Sequence, residues 1–284
     1  MGALTITQTG PFSAEVSGVA LAGLEDEAHW AGIRQAWARY PVLAFPDQPL
    51  SHDELEAVTL KIGPFGDDPY LKGLADHPHI VEVRRNADEK AKPFAADAWH
   101  SDWSFLAEPP AGTMLHSKVI PPVGGDTLFC DCAAAYEALS DGMKDIVGRL
   151  NGVHSAILGY SNKGLFAQDK HQRSMTIITS DEAENTQTHP MVRTHPVTGR
   201  KSLFVNPVYT IGIEGLADAE AGAILGFLAL HMTQERFQHR HRWAENTLLL
   251  WDNRTVLHTA SGGYDGHERV LHRTTIAGGP VLAG

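Results

Sequence analysis

The sequence predicts an α+β fold in which a β-sandwich or jelly roll carries a few flanking helices. Two observations lead to this fold class. Short apolar or alternating runs, which are typical of β-strands, recur along the 284 residues. Helical periodicity is confined to the first half of the chain and to one segment near residue 225. Since no internal repeat, low-complexity tract or linker divides the chain, we expect one domain over residues 1–284.

Four segments place apolar residues at helical spacing. Pro41 ends the first of them, because proline cannot continue a helix. Ser51 and Glu54 form a capping box at the start of the second, and Gly63 and Pro64 follow its end. The four predicted helices span residues 25–40, 51–62, 133–150 and 217–233.

The predicted strands are short runs of apolar or β-branched residues bounded by turn residues. Two of them, on either side of the turn at residues 198–201, have the signature of a β-hairpin. The strands are expected within residues 4–21 (two strands), 42–45, 80–83, 113–119, 126–129, 191–196, 202–206, 240–243, 247–252 and 270–277.

Two segments are irregular in composition. Residues 64–98 are rich in Gly, Pro and Asp and contain a basic patch that includes Arg84 and Arg85. Residues 155–187 are polar and carry no clear periodicity. Each segment is predicted either as a loop that covers a site or as a solvated, variable loop.

The composition of the chain restricts the binding partners and the cellular compartment that we expect. A formal net charge of -11 argues against nucleic acid or an anionic membrane surface as the main partner. No apolar run approaches the roughly 20 residues that span a bilayer, and the first residues do not resemble a signal peptide. Cys130 and Cys132 are too few and too close for a disulfide framework, so we expect two reduced, buried residues in a cytoplasmic protein.

A metal site is predicted from a short motif in the middle of the chain. His100 and Asp102 are two positions apart, and in an extended strand such side chains point to the same side. His258, which follows a long apolar run, is the candidate third ligand. Two histidines and one carboxylate form the facial triad of non-haem Fe(II) oxygenases. Arg269 and Arg273 follow, and a guanidinium suits the carboxylate of a dicarboxylic co-substrate.

These motifs in this order resemble the taurine dioxygenase family of Fe(II)/2-oxoglutarate-dependent dioxygenases. That family includes the sulfonate, alkylsulfate and aryloxyalkanoate dioxygenases. The resemblance covers nearly the whole chain, through Ser-Gly-Val at 17–19, Trp-His-Ser-Asp at 99–102, Gly-Gly-Asp-Thr at 124–127, Val-Arg-Thr-His-Pro at 192–196, Leu-Phe-Val-Asn at 203–206, Trp-Asp-Asn-Arg at 251–254 with His258, and residues 269–273.

The resemblance implies a double-stranded β-helix, which is a jelly roll, with His100, Asp102 and His258 as the iron ligands. It implies Fe(II) as the metal cofactor and 2-oxoglutarate and O2 as the co-substrates. It also implies that the protein forms a homo-oligomer, either a dimer or a tetramer. Oxidative decarboxylation of 2-oxoglutarate to succinate and CO2 would accompany hydroxylation of a substrate C–H. If the hydroxylated carbon carries a leaving group, the product falls apart, and the reaction becomes an oxidative cleavage.

Other site residues are carried over one by one from the family motifs. Arg269 and Thr127 match the residues that hold the distal carboxylate of 2-oxoglutarate. Arg273 matches an arginine that binds the anionic group of the substrate in the sulfonate enzymes. Trp103, directly after the ligand Asp102, and Tyr209 are predicted to form an apolar or aromatic substrate pocket.

The expected substrate is a small anionic organic molecule of the sulfonate, alkylsulfate or aryloxyalkanoate type. Taurine itself is not expected, because the histidine and asparagine that contact it in the taurine enzymes have no match here. Ala96 stands four residues before His100, and residues 66–72 contain no histidine. Residues 69–72 and 83–87 resemble the aryloxyalkanoate members.

Two alternatives remain open from the sequence. One is a zinc-dependent hydrolase on the same triad, which would need no arginine at position 269 and no O2. The other is a non-catalytic jelly-roll binding protein, which would be expected to have lost a metal ligand. Trp251 and Asn253 are expected to pack or hydrogen-bond beneath the site. Five other histidines are expected to be structural or to support the ligands: His116, His154, His189, His195 and His272.

Overall fold

The computed structural model describes residues 3–284 and forms fifteen β-strands and seven α-helices within that range. The strands are β1 (Thr5–Gly10), β2 (Ser13–Ser17), β3 (Val42–Phe45), β4 (Val81–Arg85), β5 (Gly112–Val119), β6 (Thr127–Asp131), β7 (Asn151–Ser155), β8 (Thr186–Pro190), β9 (Val192–Thr194), β10 (Lys201–Leu203), β11 (Thr210–Ile213), β12 (Gln238–His241), β13 (Leu248–Asp252), β14 (Val256–Ala260) and β15 (Arg269–Ile276). The helices are α1 (Glu27–Arg39), α2 (His52–Ile62), α3 (Cys132–Glu137), α4 (Asp141–Val147), α5 (Ile157–Tyr160), α6 (Leu165–Gln168) and α7 (Asp218–Met232). Short 3-10 helices lie at Asp181–Glu184 and Glu235–Phe237.

Seven strands form the largest sheet, in the order β1-β2-β3-β13-β5-β15-β4. All neighbouring pairs in it are antiparallel except β2 and β3. In the pairing of β15 with β4, Arg269 lies opposite Arg85 and Arg273 lies opposite Val81. Residues directly opposite in an antiparallel pair share one face of the sheet, so both arginines of β15 and Arg85 project to the same side.

Three smaller sheets complete the strand pairing. They have the strand orders β12-β6-β14, β11-β7-β8 and β10-β9. The first of these carries His258 on β14, where it pairs with Phe129 of β6. An isolated bridge also joins His100 to His258, so the chain segment before β5 adds to the edge of this sheet.

The apolar core is divided between helices and sheets. Trp30 and Ile33 of α1 and Leu55 of α2 pack with Leu43 and Leu250 of the seven-stranded sheet. A second cluster, which includes Cys130, Cys132 and Leu228, joins α3 and α7 to the smaller sheets. A third, rich in aromatic residues, lies beside the histidine and aspartate of the central motif.

The mixed helix and sheet content confirms the predicted α+β class, and each predicted strand overlaps an observed one. The capping box of Ser51 and Glu54 is also confirmed. The single helix predicted over residues 133–150 is wrong, because α3 ends at Glu137 and α4 begins at Asp141. Ser140 starts the second helix by accepting a hydrogen bond from the Met143 backbone N–H through its side chain.

Cys130 and Cys132 are free and buried, as expected for reduced thiols. Within residues 3–284, none of the helices combines the length and hydrophobicity needed to cross a membrane.

Candidate active site

Three side chains from distant parts of the sequence meet in the interior. His100, Asp102 and His258 each offer one ligand atom, and these atoms lie within 4.8 Å of one another. Oδ1 of Asp102 is 3.5 Å from Nε2 of His100 and 3.7 Å from Nε2 of His258. All three residues are buried. The donor set of two imidazoles and one carboxylate fits a non-haem Fe(II) centre with open positions for other ligands.

The backbone around His100 differs from the predicted extended strand. His100 and His258 exchange two backbone hydrogen bonds, of 3.0 and 2.8 Å, and form a single bridge. The chain then turns, because Ser101 donates to the backbone oxygen of Asn253 and Trp103 adopts a left-handed conformation with φ of 44°. His100 and Asp102 therefore converge through a turn, and the prediction of one extended face is wrong.

Each of the two histidines directs one ring nitrogen, Nε2, to the centre. Nδ1 of His100 donates to the carbonyl oxygen of Ala98 at 2.7 Å, which leaves the lone pair of Nε2 directed inward. Burial lowers the pKa of His258 to about 3, and the nearby His100 adds to the shift. A metal ion therefore does not have to displace a proton from His258 at neutral pH.

Asp102 is held by donors on both carboxylate oxygens. Arg273 donates to Oδ1 at 3.0 Å and Thr113 donates to Oδ2 at 2.6 Å. Burial alone would raise the pKa of Asp102, but the charge of Arg273 holds it well below its ordinary value. Asn253 donates to Thr113 and accepts from the indole N–H of Trp251. The expectation that Trp251 and Asn253 support the site from beneath agrees with these contacts.

Arg269 lines a narrow cavity together with Arg85 and Tyr264. Its Nε donates to the carbonyl oxygen of Gly125 at 3.1 Å. Thr127 is two residues further along, but its hydroxyl accepts a hydrogen bond from Trp243. Within the described part of the chain, the structure thus joins Arg269 to the Thr127 segment through Gly125, without a direct hydrogen bond between the two side chains.

Arg85 is a residue that sequence reasoning assigned only to a basic loop patch. It is 5% exposed, and its NH2 donates to Asp265 at 2.7 Å and to the backbone oxygen of Glu89 at 3.0 Å. Its Nε and NH1 are buried and have no hydrogen-bond partner among residues 3–284. Arg85 and Arg269 both pack against the Tyr264 ring, with the guanidinium carbons 5.1 and 5.9 Å from its centroid.

Arg273 is enclosed between two carboxylates. Its NH1 contacts Asp102, and its NH2 lies 3.1 Å from Oδ1 of Asp68. Asp68 also accepts hydrogen bonds from the Trp103 indole and the Thr275 hydroxyl. No motif pointed to Asp68, because it lies in the irregular segment 64–98 and its charged partner Arg273 is distant in the chain.

The predicted pocket residues Trp103 and Tyr209 lie together, with ring centroids 6.3 Å apart, and Tyr209 is 6.1 Å from the ring of His100. Tyr160 stacks on Tyr70 in the same cluster, at 4.7 Å. A cavity of about 710 Å³ opens beside His100 and is lined by Tyr160, Tyr209 and residues of the two irregular segments. Both segments therefore border a cavity next to the triad.

The other histidines singled out from the sequence do not join the triad. Each lies near a partner elsewhere: His116 with Gln48, His154 with Ser104, His189 with Leu106, His195 with Asp252 and His272 with Glu82.

Comparison with known proteins finds one family model, described as Taurine catabolism dioxygenase TauD, TfdA family, that matches residues 5–275. The chain is 33% identical over 271 residues to the (S)-phenoxypropionate/alpha-ketoglutarate-dioxygenase of Sphingobium herbicidovorans, covering 95% of this chain and 93% of that protein. It is 34% identical over 249 residues to the alpha-ketoglutarate-dependent 2,4-dichlorophenoxyacetate dioxygenase of Cupriavidus pinatubonensis, covering 82% and 83%. The fold is similar to the crystal structure of a taurine dioxygenase from Burkholderia xenovorans, with a TM-score of 0.79 at 29% identity, covering 97% of this chain and 89% of that one.

Proposed function

The chain belongs to the TauD/TfdA family of Fe(II)- and 2-oxoglutarate-dependent dioxygenases, and from this premise we propose which of its residues serve the reaction. His100, Asp102 and His258 hold Fe(II). The observation that carries this assignment is the convergence of their three ligand atoms within 4.8 Å in a buried site. The bound iron and 2-oxoglutarate supply the activation of O2, while the protein binds, orients and excludes water.

We propose that the distal carboxylate of 2-oxoglutarate pairs with Arg269, next to the segment that carries Thr127. Burial lowers the pKa of Arg269 to about 10, so its guanidinium still carries a charge at neutral pH. Arg85 adds a second guanidinium to the same cavity, with two N–H-bearing nitrogens free of protein partners in the described chain. Two positive charges in a buried cavity favour a dianionic co-substrate.

The finer description of the fold is also a proposal. We infer a double-stranded β-helix formed by one dioxygenase domain over residues 1–284. The position of the site supports it, because His258 comes from the three-stranded sheet while Thr113 and Arg273, on β5 and β15 of the seven-stranded sheet, contact Asp102. The triad thus lies between two sheets, as it would at the mouth of a jelly roll.

For the substrate, we propose a small anionic organic molecule, with the aryloxyalkanoates favoured over sulfonates and alkylsulfates. The aromatic cluster of Trp103, Tyr160 and Tyr209 beside His100 can contact an aryl ring. The phenoxypropionate and 2,4-dichlorophenoxyacetate enzymes among the relatives support the same class. Hydroxylation of the carbon next to the ether oxygen gives a hemiacetal, which loses the phenol and leaves a 2-oxo or aldehyde acid.

The test is succinate release with Fe(II), ascorbate, O2 and 2-oxoglutarate, with one substrate class added at a time. We expect succinate and a phenol with aryloxyalkanoates, and little succinate with alkylsulfates or taurine. The Asp102→Ala variant should release no succinate above background, because the iron loses its carboxylate ligand. Full turnover in that variant would remove the metal assignment, and turnover confined to sulfonates would remove the aryloxyalkanoate proposal.

We further propose a homo-oligomer, dimer or tetramer, in the cytoplasm. Beyond the first turn of α7, which carries Asp218 and Glu220, its outer face supports self-association because the exposed positions carry no charge. These positions are Gly222, Ala223, Gly226, Phe227 and Leu230. An exposed apolar patch of this kind is typical of a protein interface. The reduced state of Cys130 and Cys132 supports the reducing compartment.

A further inference from the structure

We propose that Asp68 is a specificity-determining residue, which neutralises Arg273 and makes the pocket select a substrate by its aromatic part rather than by its anionic group. The inference rests on the proposed function, since it assumes that substrates bind beside the triad. It assigns Arg273 a different task from the one expected by family resemblance, namely orienting Asp102 rather than receiving the substrate anion.

The first argument is that Asp68 is a fixed part of the site. Its Oδ1 accepts from the Trp103 indole at 2.8 Å and lies 3.1 Å from NH2 of Arg273. Its Oδ2 accepts from the Thr275 hydroxyl at 2.8 Å. The side chain is 10% exposed, so two hydrogen bonds and one ion pair satisfy a carboxylate that has lost most of its water.

The second argument concerns the charge around Arg273. Its guanidinium already contacts two carboxylates, those of Asp68 and Asp102, and the side chain is 6% exposed. A substrate anion at this position would place a third negative charge around one cation in a buried site. To make room, Asp68 would have to leave, and the indole N–H of Trp103 and the Thr275 hydroxyl would lose their acceptor.

The third argument is that the large cavity beside His100 offers no other unpaired lysine or arginine among its described lining residues. Lys92 pairs with Asp97 at 3.2 Å, and Arg173 pairs with Asp169 at 2.7 Å. Aromatic and apolar surface is what remains for recognition. The pocket is therefore built to bind a ring, with the anionic group of the substrate contributing little to affinity.

Asp68 also controls the shape of this aromatic surface. Its hydrogen bond fixes the indole of Trp103, whose backbone is held in the left-handed region, and the Arg273 guanidinium packs over the same ring at 5.4 Å. One carboxylate thus sets both the charge around Arg273 and the position of Trp103. The Trp103 ring lies 5.6 and 6.3 Å from the cavity-lining rings of Tyr160 and Tyr209. This dual role makes Asp68 the residue whose change should alter substrate choice most.

The experiment compares anion binding by the wild type and by Asp68→Asn, which keeps the side-chain size but removes the charge. Protein loaded with Mn(II) and 2-oxoglutarate is titrated calorimetrically with taurine, an alkyl carboxylate and phenoxyacetate. We expect the Kd of taurine and of the alkyl carboxylate to fall at least ten-fold in Asp68→Asn. The ratio of the two Kd values, which measures the preference for phenoxyacetate over the alkyl carboxylate, should shrink. The reason is that the anionic group of each ligand then contributes to its affinity by contacting Arg273.

The matched control is Asp67→Asn, which removes the same charge from the exposed neighbouring residue. It should leave every Kd within about two-fold of the wild type. The Kd of 2-oxoglutarate and the thermal midpoint are measured for each variant, to show that the fold and the co-substrate site persist. Should Asp68→Asn not fold, Asp68→Ser removes the charge with a smaller side chain and should show the same gain in anion affinity.

If taurine and the alkyl carboxylate bind Asp68→Asn no more tightly than the wild type, the inference is wrong, and Arg273 is available to substrates as it stands. The binding titration separates this result from failure of the proposed function. Tighter anion binding in Asp68→Asn without oxidation of any aryloxyalkanoate would keep the role of Asp68 and remove the substrate class. Oxidation of aryloxyalkanoates without a gain in anion binding would keep the substrate class and remove the role of Asp68.

Discussion

Of the four buried arginines of residues 3–284, the three near the triad and the cavity lined by Tyr264 differ in how many carboxylates they contact. Arg273 contacts two carboxylates, whereas Arg85 contacts only the exposed Asp265. Arg269 has no carboxylate partner within residues 3–284 and donates one hydrogen bond to a carbonyl. A buried guanidinium without a counter-charge is costly unless a ligand supplies one. The local partners therefore place the need for an anionic ligand at Arg269 and Arg85 rather than at Arg273.

This difference leads to a prediction for the co-substrate. We expect Arg269→Ala to raise the KM for 2-oxoglutarate by roughly 10- to 100-fold, because a charge-assisted hydrogen bond contributes about 1.5–3 kcal/mol. Arg85→Ala should raise the same KM by a smaller factor of about 3 to 30, since Arg85 keeps a carboxylate partner. Steady-state kinetics at saturating substrate measure both values.

The neighbouring Arg84 is the matched control for Arg85. It lies on the same strand but is partly exposed and pairs with Glu82 and Glu268. Arg84→Ala should leave the KM for 2-oxoglutarate within about two-fold of the wild type. An equal rise in Arg84→Ala and Arg85→Ala would mean that net charge, rather than the cavity, determines co-substrate affinity.

Single residues also show what the sequence could predict. The positions of His100, Asp102 and His258 followed from a short motif and an ordered set of landmarks, and the structure brings these three side chains together. Asp68 and Arg85 could not be found in the same way. Their charged partners, Arg273 for Asp68 and Asp265 for Arg85, are 180 or more residues away in the sequence and become neighbours only in the folded chain.

At the scale of elements, the end of β13 positions the turn that carries His100 and Asp102. Asn253 accepts from the Trp251 indole at 3.0 Å and donates to Thr113 at 2.9 Å, and Thr113 in turn donates to Asp102. The backbone oxygen of Asn253 accepts from Ser101. The turn after His100 is thus attached to β5 and β13 of the seven-stranded sheet, which fixes the direction of the carboxylate.

We predict that Asn253→Ala weakens metal binding by about 10- to 100-fold, the range typical for loss of a group that orients a ligand. The Kd of Mn(II), measured by calorimetry, checks this value. Ser202→Ala is the control, because the Ser202 hydroxyl donates to the neighbouring Arg254 carbonyl and does not contact the Asp102 network. Unchanged Mn(II) affinity in Asn253→Ala would show that the network shapes the fold without orienting the ligand.

The error over residues 133–150 has a cause at the same scale. Apolar spacing continues across Ser140, so periodicity alone predicts one helix. The first helix ends before Ser140 because the Ser140 side chain caps the N-terminus of a new helix. As a result Ile146, an apolar residue of the predicted helix, is 48% exposed. Periodicity fixes where helical structure occurs, but the capping residues decide how many helices there are.

At the scale of the molecule, the site lies where two sheets meet. His258 belongs to β14 of the smaller sheet, while Asp102 is held by side chains on β5 and β15 of the larger one. The α+β class could be predicted because it needs only the number and order of elements. The pairing of β15 with both β4 and β5 could not, because strand order in a sheet is set by packing of the whole chain.

The surface of α7 gives a prediction about assembly. Leu230 is 76% exposed and Phe227 is 44% exposed on the part of α7 beyond its first turn, where the exposed residues are uncharged. Water contact at such a face is unfavourable, and a second copy of the chain could cover it. If the proposed oligomer uses this face, we expect Leu230→Glu to convert it to a monomer, because a carboxylate would be buried without a partner. Light scattering after gel filtration measures the mass.

Leu60→Glu serves as the comparison, since Leu60 is 55% exposed on α2, where charged residues surround it. This substitution adds the same charge to another exposed leucine, and we expect it to leave the mass unchanged. A wild-type protein that is already monomeric would remove the proposed assembly. An oligomer that survives Leu230→Glu would place its interface away from α7, while the triad, which is buried within one chain, would keep its metal affinity in either case.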